Sequence, residues 1–219
     1  MSRLILAVET THEHGSLALL RDEQLLEELP MHAPTGFAHV LYRHLADLFR
    51  RHRLKVDAVD CFAAAAGPGS FTGVRVGLSC VMGLAEALGK RAVAVSNLQA
   101  LASFGSAPLR AVVLDARRSE IYGAVYDAAA RLVSPEVVAP FGAWLAALPC
   151  TGLEFVSPDF TAFRPLVAGT LFENVPVCTA PLALAAAVAR LAAQAAPQDP
   201  AFLDANYVRR SDAELLWKE

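Results

Sequence analysis

The chain has 219 residues, of which 55% are hydrophobic and 19% charged, and its formal net charge is -3 at pH 7. This length suits one large domain or two lobes, and the apolar content excludes a long disordered region. The small negative charge excludes a general electrostatic attraction to nucleic acid. The four cysteines show no Cys-x-x-Cys spacing, which disfavours a zinc site and is typical of reduced thiols in the cytoplasm.

The first elements are predicted to be a β-meander and a helix. Three strand-like runs, 4–9, 15–21 and 24–29, are separated by short polar turns. The first run is too short for a signal peptide or a membrane span, so we expect a cytoplasmic protein that does not associate with a membrane. A helix is predicted over 37–53, because its apolar residues recur at three- and four-residue steps.

Two more strands and two helices follow. The strands are predicted at 59–66 and 91–95, with a helix at 74–88 between them. A capping box of Ser96 and Gln99 then opens a short helix. The order βββαβα predicts a mixed sheet covered by helices. The segment 103–110 is the predicted boundary, which gives lobes of 1–105 and 106–219.

The second lobe is predicted to begin like the first, with three strands at 111–114, 121–126 and 131–138. A helix at 141–148, a strand at 153–156, a helix from Pro158 and a helix at 181–196 complete it. Two lobes that both start with a three-stranded meander suggest an ancient duplication, which is visible in the topology and not in a residue repeat.

The segment 67–77, GPGSFTGVRVG, holds four of the chain's 13 glycines between a predicted strand and helix. Glycine lets backbone amides approach an anion closely, Ser70 or Thr72 can cap the helix, and a helix N-terminus favours negative charge. Arg75 opposes the helix dipole there, which suggests an acidic partner or a bound phosphate. The segment matches neither a P-loop nor a dinucleotide-binding fingerprint. It is therefore either a phosphate-binding turn or an ordinary tight connection.

The same eleven residues resemble the signature of the TsaB family. Three weaker matches lie in the family's order: LAVETT at 6–11, LDARRSEIYGAVYD at 114–127 and NYVRRSDAELLWKE at 206–219. The chain departs from the family pattern at Glu9, where Asp is usual, and at Ala205, where proline is usual. The resemblance spans the chain and implies an α/β, two-lobed, actin-like fold of the Hsp70 and sugar-kinase type.

The resemblance also implies a function. It implies a non-catalytic subunit of tRNA threonylcarbamoyladenosine synthesis that docks and activates the transferase TsaD. The P-loop ATPase TsaE is an implied further partner, tRNA is contacted only indirectly, and the chain is expected to form a homodimer when alone. The resemblance implies no cofactor held by this chain alone. It is compatible with ATP or ADP at the junction between the subunits. The nucleotide or phosphate-loop candidates are Glu9, Thr10, Gly67, Gly69, Ser70, Thr72, Gly73 and Arg75.

The helix predicted at 74–88 carries few polar residues, so it should be buried on two sides. One side can cover its own sheet, and the other needs either the helix at 37–53 or another protein. The family implies that both helices pack on the equivalent pair of the partner as a four-helix bundle. The candidate interface residues are Phe37, Val40, Leu41, His44, Val76, Gly77, Cys80, Val81, Gly83 and Leu84.

The six histidines lack the His-x-x-x-His spacing that TsaD is implied to use for its metal. His12 and His14 can share a strand face, but two ligands without a third make a poor site, so no metal site is predicted. This spacing disfavours a metallopeptidase.

The alternative function is a stand-alone actin-like ATPase or small-molecule kinase. Glu9, Thr10, the glycine turn and Asp115 are the features that favour it. In the second-lobe hairpin, Asp115, Arg117 and Glu120 suit either a turn stabilised by an Asp–Arg contact or a ligand site.

Overall fold

The computed structural model describes residues 3–149 and 151–209, which form two compact units. Within these residues, the first unit comprises the chain up to Asn97 together with Leu182–Asn206. The second unit comprises Leu98–Pro181 and the described residues from 207 onward. Most of the family-like tail at 206–219 therefore lies outside the described residues.

The first unit is built on a mixed sheet of β1 (Leu4–Glu9), β2 (His14–Arg21), β3 (Gln24–His32), β4 (Cys61–Ala65) and β5 (Arg91–Val95). Its strand order is β3-β2-β1-β4-β5. The β1–β2 and β2–β3 pairs are antiparallel, and the β1–β4 and β4–β5 pairs are parallel. The predicted meander and mixed sheet are confirmed. Both β1 and β4 are buried along their whole length, which explains their continuous apolar runs.

Helices cover both faces of this sheet. On one face, α1 (Leu41–Arg51) and α2 (Phe71–Ala87) share a core cluster with Leu4, Leu6 and Val8 of β1. Side chains alternate along a strand, so the residues between these three point to the opposite face. There α6 (Ala185–Gln194) packs on β1, β2 and β4. The Ser16 hydroxyl fixes the start of that segment by accepting hydrogen bonds from the Leu184 and Ala185 amides.

The second unit repeats this topology with β6 (Leu109–Arg117), β7 (Glu120–Asp127), β8 (Leu132–Pro140), β9 (Leu153–Ser157) and β10 (Val177–Thr179). Its strand order is β10-β9-β6-β7-β8, again with an antiparallel meander and two parallel pairs. The shared topology agrees with the duplication suggested by the sequence. An aromatic core packs under α4 (Phe141–Ala146) and α5 (Arg164–Val167), and its phenylalanines are Phe141, Phe155, Phe160, Phe163 and Phe172.

The structure differs from the sequence-based expectations in several boundaries. The helix predicted at 181–196 was assigned to the second lobe, whereas α6 belongs to the first unit. A short helix, α3 (Asn97–Ala102), follows β5 as predicted. Helix α2 begins at Phe71 rather than at residue 74, and α1 begins at Leu41 rather than at residue 37. The predicted helix from Pro158 is reduced to α5, and β10 was not predicted. Across the described part of the chain, no helix is long and apolar enough to span a bilayer.

Candidate functional site

The glycine turn packs directly against the turn that follows β1. The Ser70 amide donates to the Thr11 carbonyl oxygen at 2.7 Å, and the Thr10 hydroxyl donates to the Gly73 carbonyl oxygen at 2.8 Å. A Cβ atom at Gly73 would collide with the Thr10 carbonyl oxygen, and one at Gly69 would lie 2.7 Å from the Thr11 carbonyl oxygen. Both glycines are therefore required for the close approach of two backbone segments.

Further hydrogen bonds join the glycine turn to Asn97, the first residue of α3. Gly67 has φ of +99°, and its amide donates to the Asn97 side-chain oxygen at 3.1 Å. The Gly67 carbonyl oxygen accepts from the Asn97 amide at 2.8 Å. Ser70 is the cap of α2, since its hydroxyl accepts from the Gly73 amide at 3.3 Å. The sequence left Ser70 and Thr72 as alternative caps, and the structure selects Ser70.

The amides of Gly67, Ser70 and Gly73 thus all donate within the first unit. An anion bound by these three amides would have to replace existing hydrogen bonds. Arg75, expected beside an acid or a phosphate, has its guanidinium 3.8 Å from the centre of the Phe71 ring. A cation–π contact of this kind stabilises the side chain one turn along the helix. The geometry therefore favours a structural role for the turn.

Glu9 lies at the centre of a buried network. One of its carboxyl oxygens accepts from both the amide and the hydroxyl of Thr11, each at 2.6 Å. The Asn97 side-chain amide donates to the same hydroxyl. The other oxygen of Glu9, Oε2, has no hydrogen-bond partner among the described residues. This network joins the end of β1 to Asn97, which also makes hydrogen bonds to Gly67.

Burial raises the pKa of Glu9 from its ordinary value of 4.5 to about 7. The hydrogen bonds from Thr11 lower this pKa, and the nearby charge of Glu28 raises it, but desolvation is the largest effect. A carboxyl group with this pKa is partly protonated near neutral pH.

Helices α1 and α2 border an open groove of about 440 Å³. Two aromatic side chains stand out from it, Tyr42 with 62% of its surface exposed and Phe71 with 42%. Ser79 and Val76 line the groove from α2, and Cys80 lies in its floor. Burial raises the pKa of the Cys80 thiol to about 11, so the floor is uncharged at neutral pH. The groove is therefore mainly apolar, with large side chains at its rim.

The structure places only half of the predicted interface residues at the surface. Val40, His44, Val76 and Leu84 are half-buried. Gly83 is exposed, and beyond its chain neighbours and the adjoining backbone of α2 no heavy atom of the described residues lies within 4 Å of where its Cβ atom would be. The other five predicted residues are buried within the first unit. Leu41 and Cys80 still line the groove from below, whereas burial corrects the expectation for Phe37, Gly77 and Val81.

The reason for this correction is the way α2 packs. Val81 joins Val74 and Leu78 in the core under the helix, and a Cβ atom at Gly77 would lie 2.6 Å from the Thr10 hydroxyl. Helix α1 borders α2 across the groove, and the segment Pro200–Phe202 packs on α2, so the chain itself supplies part of the second cover that the sequence required. Tyr42 and Phe71 were not among the residues predicted at an interface, although an exposed aromatic beside an apolar stripe is a recognisable signal.

The second-unit hairpin residues are arranged as a turn. Asp115 is exposed and accepts a hydrogen bond from the Arg117 amide at 2.7 Å. Arg117, Arg118 and Ser119 all have positive φ, so the acid stabilises an unusual backbone conformation. Glu120 pairs with the Arg209 guanidinium. Of the two interpretations left open by the sequence, these contacts favour the stabilised turn.

Comparison with known proteins identifies the family. The family model described as "TsaD: tRNA N6-adenosine threonylcarbamoyltransferase" matches residues 29–154, which is more than half of the chain. The chain belongs to this family. Within the TsaD family it is TsaB/YeaZ-like, as its relatives show.

Two of these relatives carry the name tRNA threonylcarbamoyladenosine biosynthesis protein TsaB. The protein from Bacillus subtilis (strain 168) is 30% identical over 125 residues, covering 56% of this chain and 55% of the relative. The protein from Haemophilus influenzae is 34% identical over 124 residues, covering 54% of this chain and 51% of the relative. The matched segment thus spans about half the length of these relatives.

A solved structure agrees over nearly the whole chain. It is described as an uncharacterized protein with similarity to peptidase YEAZ from Pseudomonas aeruginosa. The TM-score is 0.80 at 27% identity, and the match covers 94% of this chain and 100% of that protein. Together with the family match, this likeness establishes the two-lobed, actin-like α/β fold.

Proposed function

We propose that this chain is a non-catalytic subunit in the synthesis of threonylcarbamoyladenosine in tRNA. The names of the TsaB relatives support this role. The observation that carries it is the groove between α1 and α2, where exposed Tyr42 and Phe71 flank an apolar floor. Large aromatic side chains around an apolar depression are the usual anchors of a protein–protein interface.

The proposed occupant of the groove is the equivalent helix pair of a TsaD transferase. Along α2, Thr72, Val76, Ser79 and Gly83 follow one another at three- and four-residue steps, so they share one side of the helix. None of the four carries a side chain larger than valine, which allows a second helix to approach closely. Docking there would hold TsaD in its active conformation, and the reaction would occur on TsaD.

Several consequences belong to the same proposal. The chain forms a homodimer through this surface when TsaD is absent, and the ATPase TsaE joins the complex. Contact with tRNA is indirect, and the complex works in the cytoplasm. The chain holds no nucleotide of its own, and ATP or ADP binds at the junction with the partner. The engaged amides of the glycine turn support the last point.

The test is a pair of matched glycine-to-arginine variants. Gly83 lies on α2 and Gly142 on α4, and both are exposed helical glycines with open space around the Cβ position. We expect Gly83→Arg to weaken binding to TsaD by at least about ten-fold, because an arginine there blocks the helix approach. Gly142→Arg should bind as the unchanged chain does. Surface plasmon resonance measures both affinities, and thermal melts check that both variants are folded.

An activity assay completes the test. The unchanged chain should restore tRNA modification in an extract from which it has been removed, and Gly83→Arg should restore much less. If both arginine variants bind and restore modification equally, the groove is not the docking surface. If the unchanged chain neither binds TsaD nor restores modification, the whole proposal fails.

A stand-alone ATPase is disfavoured by the state of Glu9. Its carboxyl group is buried, and one of its oxygens already accepts two hydrogen bonds from Thr11. Magnesium-dependent ATP turnover by the isolated chain, abolished in Glu9→Gln, would restore this alternative.

A further inference from the structure

Two histidines and a glutamate come together at one end of the β2–β3 pair. His14 begins β2 and His32 ends β3, and the two residues are direct cross-strand partners. Their rings are stacked with centroids 4.4 Å apart and an angle of 12° between the planes. Glu13 Oε1 lies 3.6 Å from His14 Nε2. One ligand atom from each of the three residues lies within 4.8 Å of the others.

The chemistry of these three groups suits a transition-metal ion. Imidazole nitrogen and carboxylate oxygen both bind zinc at about 2.0–2.2 Å, so two ligands in a tetrahedral site lie about 3.3 Å apart. The Glu13–His14 pair is already close to that separation. Magnesium and calcium prefer sites made of oxygen alone, so two nitrogen ligands out of three disfavour them.

The remaining adjustment is a change of side-chain torsions, in which the two rings also leave their parallel stack, because an imidazole nitrogen binds a metal in the plane of its ring. Bringing the most distant atoms together requires a shift of about 1.5 Å, from at most 4.8 Å to tetrahedral spacing. His32 and Glu13 are exposed and His14 is half-buried, so apart from this ring contact side-chain rotation meets little packing. The backbone is fixed, since the Ala33 amide donates to the Glu13 carbonyl oxygen at 2.8 Å beside the β2–β3 ladder. The strands therefore hold the ligands in place while their torsions adapt.

We propose that Glu13, His14 and His32 bind one divalent transition-metal ion of the zinc class. Three protein ligands leave a fourth position for water or for a group from another molecule. The sequence alone suggested only His12 and His14 as a pair without a third ligand. The third ligand, His32, comes from the neighbouring strand, and the register of β2 and β3 is what brings it there. This site is independent of the groove between α1 and α2 and does not rest on the proposed function.

The test uses the full chain without a polyhistidine tag, treated with a chelator, kept reduced, and titrated with Co²⁺ as a spectroscopic probe. We expect one equivalent to bind with visible absorption bands of a four-coordinate ion, and Zn²⁺ to displace it. His14→Ala and His32→Ala should each weaken binding by about ten-fold or more, since even the loss of a residue that only orients a ligand costs about 10–100-fold. His39→Ala is the matched control, because His39 is exposed and outside the cluster.

A second measurement separates binding from folding. Saturating Zn²⁺ should raise the melting temperature of the unchanged chain and of His39→Ala, but not that of the two cluster variants. The variants should melt like the unchanged chain when no metal is present. The proposal is overturned if the chain binds no stoichiometric ion. It is equally overturned if binding survives unchanged in His14→Ala and His32→Ala, which would leave the stacked rings as a simple aromatic contact.

Discussion

Replacing Glu9 with glutamine should change how the stability of the protein depends on pH. In the native state Glu9 holds its proton up to about pH 7, whereas the unfolded chain releases it near 4.5. Between these values the native state binds more protons, so stability falls as pH rises. Linkage with these two pKa values gives a loss of about 2–3 kcal/mol between about pH 5 and about pH 8. Glu9→Gln cannot titrate and should lack this loss.

The assay is urea unfolding followed by circular dichroism at several pH values. The quantity to compare is the difference in unfolding free energy between Glu9→Gln and the unchanged chain, because the other titrating groups cancel in it. That difference should move by about 2–3 kcal/mol in favour of Glu9→Gln as pH rises from about 5 to about 8. Glu23→Gln, an exposed replacement on the surface, should show no such change. Parallel stability curves for Glu9→Gln and the unchanged chain would refute the burial argument.

Three further substitutions test the packing of the glycine turn and of helix α2. Gly73→Ala should destabilise the first unit by about 1–3 kcal/mol, because its Cβ would meet the Thr10 carbonyl oxygen, and a lower melting temperature would report this. Gly83→Ala should instead stabilise α2 by about 0.5–1 kcal/mol, since its Cβ position is open, so an equal effect of both alanines would contradict this reasoning. Thr11→Val removes the hydroxyl that bonds Glu9 and Asn97, and should cost about 1–3 kcal/mol in chemical denaturation. An unchanged midpoint would show that water replaces the hydroxyl.

The strands and the turns between them could be predicted because each depends on the pattern of a few neighbouring residues. The apolar runs of β1 and β4 and the polar turns of the meander depend on neighbouring residues only, and the structure confirms them. The start of α2 was placed too late because Phe71 and Thr72 follow a glycine-rich segment, although Ser70 already caps the helix. Short elements such as β10 have too few residues to produce a pattern.

The sequence alone could not show which distant segments pack against each other. An apolar residue on α2 has the same pattern whether it meets its own sheet or another protein, and Val81 was predicted at an interface although it is buried in the core. His32 could not be linked to His14 before the register of β2 and β3 was known. The alanine-rich α6 carries no residue that marks the sheet on which it packs.

The late position of α6 in the chain affects how the protein is made. The first unit needs residues 182–206, and the second unit lies almost entirely between its two segments. During synthesis on the ribosome, the strands β6–β10 are complete before α6 emerges. One face of the first sheet therefore stays uncovered during synthesis, while the second unit can already fold. Truncated chains that end near the predicted boundary at 105 would lack α6, so the apolar face of the first sheet would stay exposed and the chains should aggregate. A deletion that isolates the first unit should therefore remove the second unit and keep residues 182–206.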